Sequence, residues 1–133
     1  MRKLIFSTFV VLAAIFMAAC SSNSPKAAAE AYSKAIIKGD YKTALEYVYM
    51  KGEPEEVQKK KEFYLQMVEN KVKDGLPEDK QMTKFEVISE ELDEDETHAT
   101  VVANVTYANG NTKEERSKMI KTEDGKWMVD GEK

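Results

Sequence analysis

From Thr97 to Tyr107 apolar side chains recur at every second position, with Ala99, Val101, Ala103, Val105 and Tyr107 on one face and His98, Thr100, Asn104 and Thr106 on the other. A period of two over this length belongs to a strand with one buried face, and such a strand needs a partner along each edge. Val102 alone interrupts the polar face. The partners are marked by their turns. Asn109-Gly110 and Asp124-Gly125 are two-residue hairpin signals, because both residue types tolerate positive φ. They place one strand at about residues 112–121 and a short one on Trp127, Met128 and Val129. Upstream, Phe85 and Val87 begin a strand from Thr83, and Leu92-Asp93-Glu94-Asp95-Glu96 is a polar turn. The expectation is a four-stranded antiparallel sheet.

Ahead of Thr83 the period is helical. Ser24-Pro25 reads as a cap and first helical position, since a serine oxygen can accept an orphan amide and proline has none to leave unpaired. Ala28, Ala31, Tyr32, Ala35 and Ile36 follow at helical spacing, and Gly39 supplies the stop. Asp40 then caps a second helix carrying Tyr41, Ala44, Leu45 and Val48 on one side. Glu53-Pro54-Glu55-Glu56 opens a third, with its carboxylates at the positive end of the dipole. Val57, Tyr64, Met67, Val68 and Val72 form its expected buried stripe, Phe63 and Leu65 widen it, and Gly75 with Pro77 ends it. Helices first and a meander of strands afterwards is an α+β pattern, three helices laid on one face of the sheet.

The first twenty residues answer to a different logic. Arg2 and Lys3 precede an apolar run from Leu4 to Ala19, which ends in Met17-Ala18-Ala19-Cys20 and is followed at once by Ser21-Ser22-Asn23-Ser24. The run is shorter than the roughly 20 apolar residues that cross a hydrocarbon core, and the cationic start is that of a signal peptide. Small side chains at Ala18 and Ala19 let a peptidase approach the backbone. The Met17, Ala18, Ala19, Cys20 stretch resembles the bacterial lipobox, in which the cysteine thiol takes a diacylglycerol. That resemblance implies cleavage before Cys20 and permanent anchoring, each buried methylene contributing about 0.8 kcal/mol. Residues 1–19 are then a signal peptide, 20–24 a lipidated tether and 25–133 the folded domain. Five steps of chain reach about 17 Å at most, so the domain would sit close to the lipid. Ser21 in place of Asp after the cysteine favours the outer membrane, by resemblance to the sorting rules of double-membrane bacteria.

Of 133 residues, 114 remain without the first nineteen, a length for one domain with one core. Formal charge is -4, and removing Arg2 and Lys3 takes it to -6, which disfavours nucleic acid and anionic surfaces as partners. Cys20 is the single cysteine, so no disulfide can support the fold and no Cys or His cluster exists for zinc.

Gly39-Asp40-Tyr41-Lys42-Thr43-Ala44-Leu45 resembles the helix-one to helix-two junction of the nuclear transport factor 2-like superfamily, and Asp124-Gly125-Lys126-Trp127-Met128-Val129 its last hairpin. More narrowly, Ser-Pro-Lys-Ala, Gly-Asp-Tyr, Val-Thr-Tyr and Asp-Gly-Lys-Trp recur in this order in a group of small bacterial lipoproteins within that superfamily. The resemblance implies a cone-shaped fold, helices packed into a curved sheet, with a pocket between the two layers. Enzymes of the superfamily place an Asp or a His-Asp pair with a Tyr inside the cone, and no such set lies at matching positions here.

Tyr32, Ile36, Phe63, Tyr64, Met67 and Trp127 are the candidates for lining an apolar cavity for a small ligand or peptide, filling of the core being the alternative. His98 stands alone on a polar strand face and reads as a solvated residue. Asp93, Asp95 and Thr97 fit the first three ligand positions of an EF-hand, but His98 stands where glycine is required and Asn104 where a bidentate Glu belongs. A membrane-anchored, non-catalytic binding or accessory module of the bacterial cell envelope is expected, without cofactor or metal. The alternatives are a proton-transfer cavity enzyme and a homodimer formed through the open sheet face, where Val102 and Ile120 would be exposed.

Overall fold

The computed structural model describes residues 24–132, so the signal peptide, lipobox and lipidated Cys20 expected from the sequence lie outside the described residues. Helix α1 spans Pro25–Lys38, α2 Tyr41–Leu45 and α3 Pro54–Gly75; the strands are β1 Val48–Tyr49, β2 Met82–Leu92, β3 His98–Tyr107, β4 Thr112–Lys121 and β5 Trp127–Asp130, with a short 3-10 turn at Glu78–Lys80. The strand order is β1-β5-β4-β3-β2.

Local chemistry fixes the helix ends much as the sequence implies. Ser24 Oγ accepts the Ala27 N–H at 3.0 Å. At the other end of α1 the Gly39 N–H reaches the Ile36 carbonyl at 3.0 Å and the Asp40 N–H the Ala35 carbonyl at 2.9 Å, the paired bonds of a Schellman stop. Asp40 Oδ1 in turn accepts the Thr43 N–H at 3.3 Å and starts α2. A tie between layers was not visible in the sequence: Glu90 of β2 accepts the Lys26 N–H at 2.8 Å, placing a carboxylate on the positive end of α1.

Four antiparallel strands become five in a mixed sheet. Val48 was expected on the second helix, yet α2 closes at Leu45 and Val48-Tyr49 runs parallel to β5, with Val48 opposite Val129 and Tyr49 opposite Asp130. The reason is an open edge. The short β5 pairs with β4 on one side only, and its other amides are met when Val129 donates to the Tyr47 carbonyl at 2.8 Å and Gly131 to the Tyr49 carbonyl at 2.9 Å.

The hairpins also differ in detail from the two-residue form. Gly110 donates to the Tyr107 carbonyl and Tyr107 to the Asn111 carbonyl, while Gly125 donates to Thr122 and Thr122 to the Lys126 carbonyl. Each is a three-residue loop ending in a left-handed glycine, at φ 90 and 84, so Asn109 and Asp124 need no positive φ.

One helix makes the core. Ala28 and Ala29 of α1 pack against Ala99, Val101, Met119 and Trp127, with Phe85, Val87 and Val129 around them. The alanines let the helix lie close to the strands, and Val101 and Met119 are almost wholly buried. The inner face of β3 is the one its alternation indicates. Its outer face corrects the sequence reading: Val102 is 6% exposed instead of open. It lies in an inner strand of the sheet between Ser89 of β2 and Arg116 of β4, whose rows of side chains shield it, while Ile120 is half-buried.

The larger correction concerns α3. Its predicted buried stripe is not buried: no residue of α3 is, and Phe63, Tyr64 and Met67 are 60%, 46% and 40% exposed. Val57, Lys61, Leu65 and Val68, at helical spacing, are its half-covered side, and α2 is the helix it packs against. The inner sheet face is already occupied by α1, so α3 stands beside the sandwich.

A methyl group at residue 131 would lie 2.6 Å from the Tyr49 carbonyl oxygen and 2.7 Å from a Val48 methyl. Gly131→Ala is therefore expected to destabilise the fold by about 1–3 kcal/mol, through overpacking of the β1–β5 seam. Denaturant unfolding checks the magnitude, and faster hydrogen exchange at the Val129 and Gly131 amides checks the location.

Candidate functional site

Because α3 leans away from the sheet, its C-terminal half and the end of α1 leave a gap above the start of β2. The gap is an open groove of about 630 Å³, within the roughly 300–1,000 Å³ of small-molecule sites. Ile36 and Ile37 come from α1, Tyr41 from α2, Val68, Lys71 and Val72 from α3, and Leu76, Lys80, Gln81, Met82 and Thr83 from the connection and β2. Helical spacing puts Val68, Lys71 and Val72 on one side of α3, and the turn through Leu76 and the 3-10 segment folds the chain back so that Met82 faces them across the gap. Ile37 and Val72 are each 38% exposed, unpaired apolar surface at the groove.

Of the six predicted lining residues, the structure brings only Ile36 to this groove. Tyr32 is half-buried, and burial raises its hydroxyl pKa above the ordinary value. Trp127 belongs to the core at 5% exposure. Phe63, Tyr64 and Met67 face solvent, the two rings meeting edge to face at 5.9 Å. The six do not converge because they were assigned to a cavity beneath the sheet, and α1 fills that space. Val72 and Val68 were legible as part of the α3 stripe. Leu76 and Met82 carried no periodic signal, since they flank a turn.

The titratable clusters elsewhere have structural explanations. Asp95 Oδ1 accepts the Thr97 N–H at 2.9 Å and the His98 N–H at 3.2 Å, and Oδ2 lies 2.9 Å from His98 Nδ1. These contacts, the Thr97 amide first, hold the Asp95 carboxyl down at about 2. They lock a turn in which Glu96 takes φ 57. On the sheet, the Tyr107 hydroxyl donates to Glu115 at 3.0 Å and Lys113 stands 5.6 Å from the centre of its ring. Burial, then the Glu115 carboxylate, raises the Tyr107 pKa. Glu115 itself is exposed, without the dry surroundings that tune a carboxylate for acid–base work. Among the described residues no group of three or more His, Cys, Asp or Glu side chains is placed to hold a metal ion, and no helix is long and apolar enough to cross a membrane.

Helices on a five-stranded mixed sheet of this order make an α+β fold that is shared with a protein described as NTF2-like. A solved Campylobacter jejuni structure described as an NTF2-like transpeptidase superposes with a TM-score of 0.58 at 18% identity, covering 80% of this chain and 97% of that one. At that identity the likeness is one of fold. The chain belongs to the family described as Domain of unknown function (DUF4878), whose model matches residues 18–130. A comparison with curated proteins found no match.

Protonation of Asp95 has a readable consequence. Its folded-state pKa lies below the ordinary value of 3.8, so it stabilises the fold above that pH and the contribution is lost as pH falls towards 2. Asp95→Asn should lower the melting temperature at pH 6 and make no difference below pH 2. A carboxyl titration by NMR should give a midpoint near 2 for this residue.

Proposed function

We propose that the chain is a membrane-tethered, non-catalytic binding module of the bacterial cell envelope, held by lipid on Cys20 and working through the groove between α1, α3 and β2. The observation that carries the binding role is the groove itself: apolar side chains from two helices and a strand line a gap that the core does not fill. The tether rests on the Met17-Ala18-Ala19-Cys20 sequence and on the four residues that separate the cysteine from α1. A non-catalytic role is supported by the exposure of Glu115, the one carboxylate that meets a tyrosine hydroxyl among the described residues. An enzyme of the proton-transfer class would need such a pair desolvated.

Self-association through the outer sheet face has one observation in its favour. Ile88 is 53% exposed there, and Ile120 and Met128, paired across β4 and β5, are half-covered. The burial of Val102 reduces the apolar area such a dimer would gain. Binding through the groove is the better-supported role.

Two measurements test this reading. Cys20→Ser should abolish incorporation of labelled palmitate and release the protein from membranes; unchanged labelling and fractionation would remove the tether. A photo-crosslinking amino acid at Ile37 or Val72, in native membranes, should give a discrete adduct that is missing when the same group replaces Lys118 on the outer face. Equal adducts from both faces would remove the groove as the site.

A further inference from the structure

The groove lining is electrostatically one-sided. In a chain of net charge -4, the side chains that form it include two ammonium groups, Lys71 and Lys80, and no carboxylate. Among the described residues only Lys60, 3.7 Å from Glu132, and Lys84, 3.9 Å from Glu86, are lysines with a carboxylate within reach. Lys71 and Lys80 take part in no ion pair or side-chain hydrogen bond among the described residues. Two unneutralised cations beside an apolar surface attract an anion that also carries apolar area.

The remaining polar groups decide between kinds of occupant. The Gln81 side-chain amide already donates to the Leu76 carbonyl at 2.5 Å, and the Thr83 hydroxyl donates to the Thr106 carbonyl at 3.2 Å. A peptide laid in the groove would bring an amide and a carbonyl at every residue, each costly to bury without a partner. With the Gln81 and Thr83 donors committed elsewhere, only the Tyr41 hydroxyl and the two lysines are left among the lining side chains to meet them. An alkyl chain brings no such groups. At about 630 Å³ the space is of the size that takes one drug-sized molecule rather than a two-chain phospholipid.

Resting on the reading of the groove as a binding site, we propose that its occupant is a single-chain anionic amphiphile, the simplest being a long-chain carboxylate. The alkyl chain lies along Ile36, Ile37, Val68, Val72 and Met82, and the charged head meets Lys71 and Lys80.

The test uses the full-length protein in phosphatidylcholine nanodiscs and hexadecanoate carrying a diazirine near its methyl end, with adducts mapped by peptide mass spectrometry. Labelling is expected within residues 36–41 and 68–83, displaced by unlabelled hexadecanoate at least ten-fold more effectively than by hexadecanol. Lys71→Gln with Lys80→Gln should bring hexadecanoate down to the level of hexadecanol, while Val68→Asp should remove labelling altogether; circular dichroism melts establish that both variants are folded. Equal displacement by the acid and the alcohol would overturn the charged-head assignment and leave a binding groove. Displacement by an acidic amphipathic peptide but not by hexadecanoate would overturn the amphiphile in favour of a protein partner. Labelling confined to other segments would overturn it as well. In that case the crosslinking adducts at Ile37 and Val72 separate the two ideas: adducts retained keep the groove as a site for something else, and adducts lost remove the site too.

Discussion

The seating of α1 on the sheet governs the rest of the molecule. Ala28 and Ala29 present almost no side chain, so the helix backbone approaches Ala99, Val101 and Met119 closely and leaves no room beneath it. Glu90 anchors the helix start to β2 by accepting the Lys26 amide, and the Schellman bonds at Ala35 and Ile36 turn the chain at its other end. With the inner face taken, a second long helix cannot share it. The position of α3 beside α2, and the groove it leaves over β2, follow from that exclusion.

Much of this was legible in the sequence and some was not, for physical reasons that differ by element. The alternation of Ala99 to Val105 fixes which face of β3 is buried, because period two admits only two choices. Caps at Ser24 and Asp40 locate helix starts, since each supplies the acceptor that unpaired amides require. What escaped was long-range. Val48 fits a helical stripe as well as a strand, and only the free edge of β5, 81 residues away, decides for the strand. The stripe on α3 is amphipathic, but periodicity states that a helix has an apolar side without stating whether anything is available to cover it.

The same distinction explains the fate of the candidate site. Tyr32, Ile36, Phe63, Tyr64, Met67 and Trp127 share apolar character, and a sequence cannot say that α1 and the core absorb Tyr32 and Trp127 while three others are left in solvent. The groove depends instead on a turn, Leu76 to Gln81, that brings Met82 under Val68 and Val72. Its cations, Lys71 of α3 and Lys80 of the turn, carry no sequence signal that links them. Their shared neighbourhood comes from the fold.

The parallel join of β1 to β5 ties a dipeptide near the start of the domain to the last strand of the chain. During synthesis, α1 and α2 emerge before any strand and α3 before β2 to β5, and Val48-Tyr49 has no edge to meet until Trp127–Asp130 has been made. Ala28 and Ala29 likewise wait for β3. Cooperative closure of the sheet is thus deferred until Trp127–Asp130 has been made, and a join of such long sequence separation is slow to form.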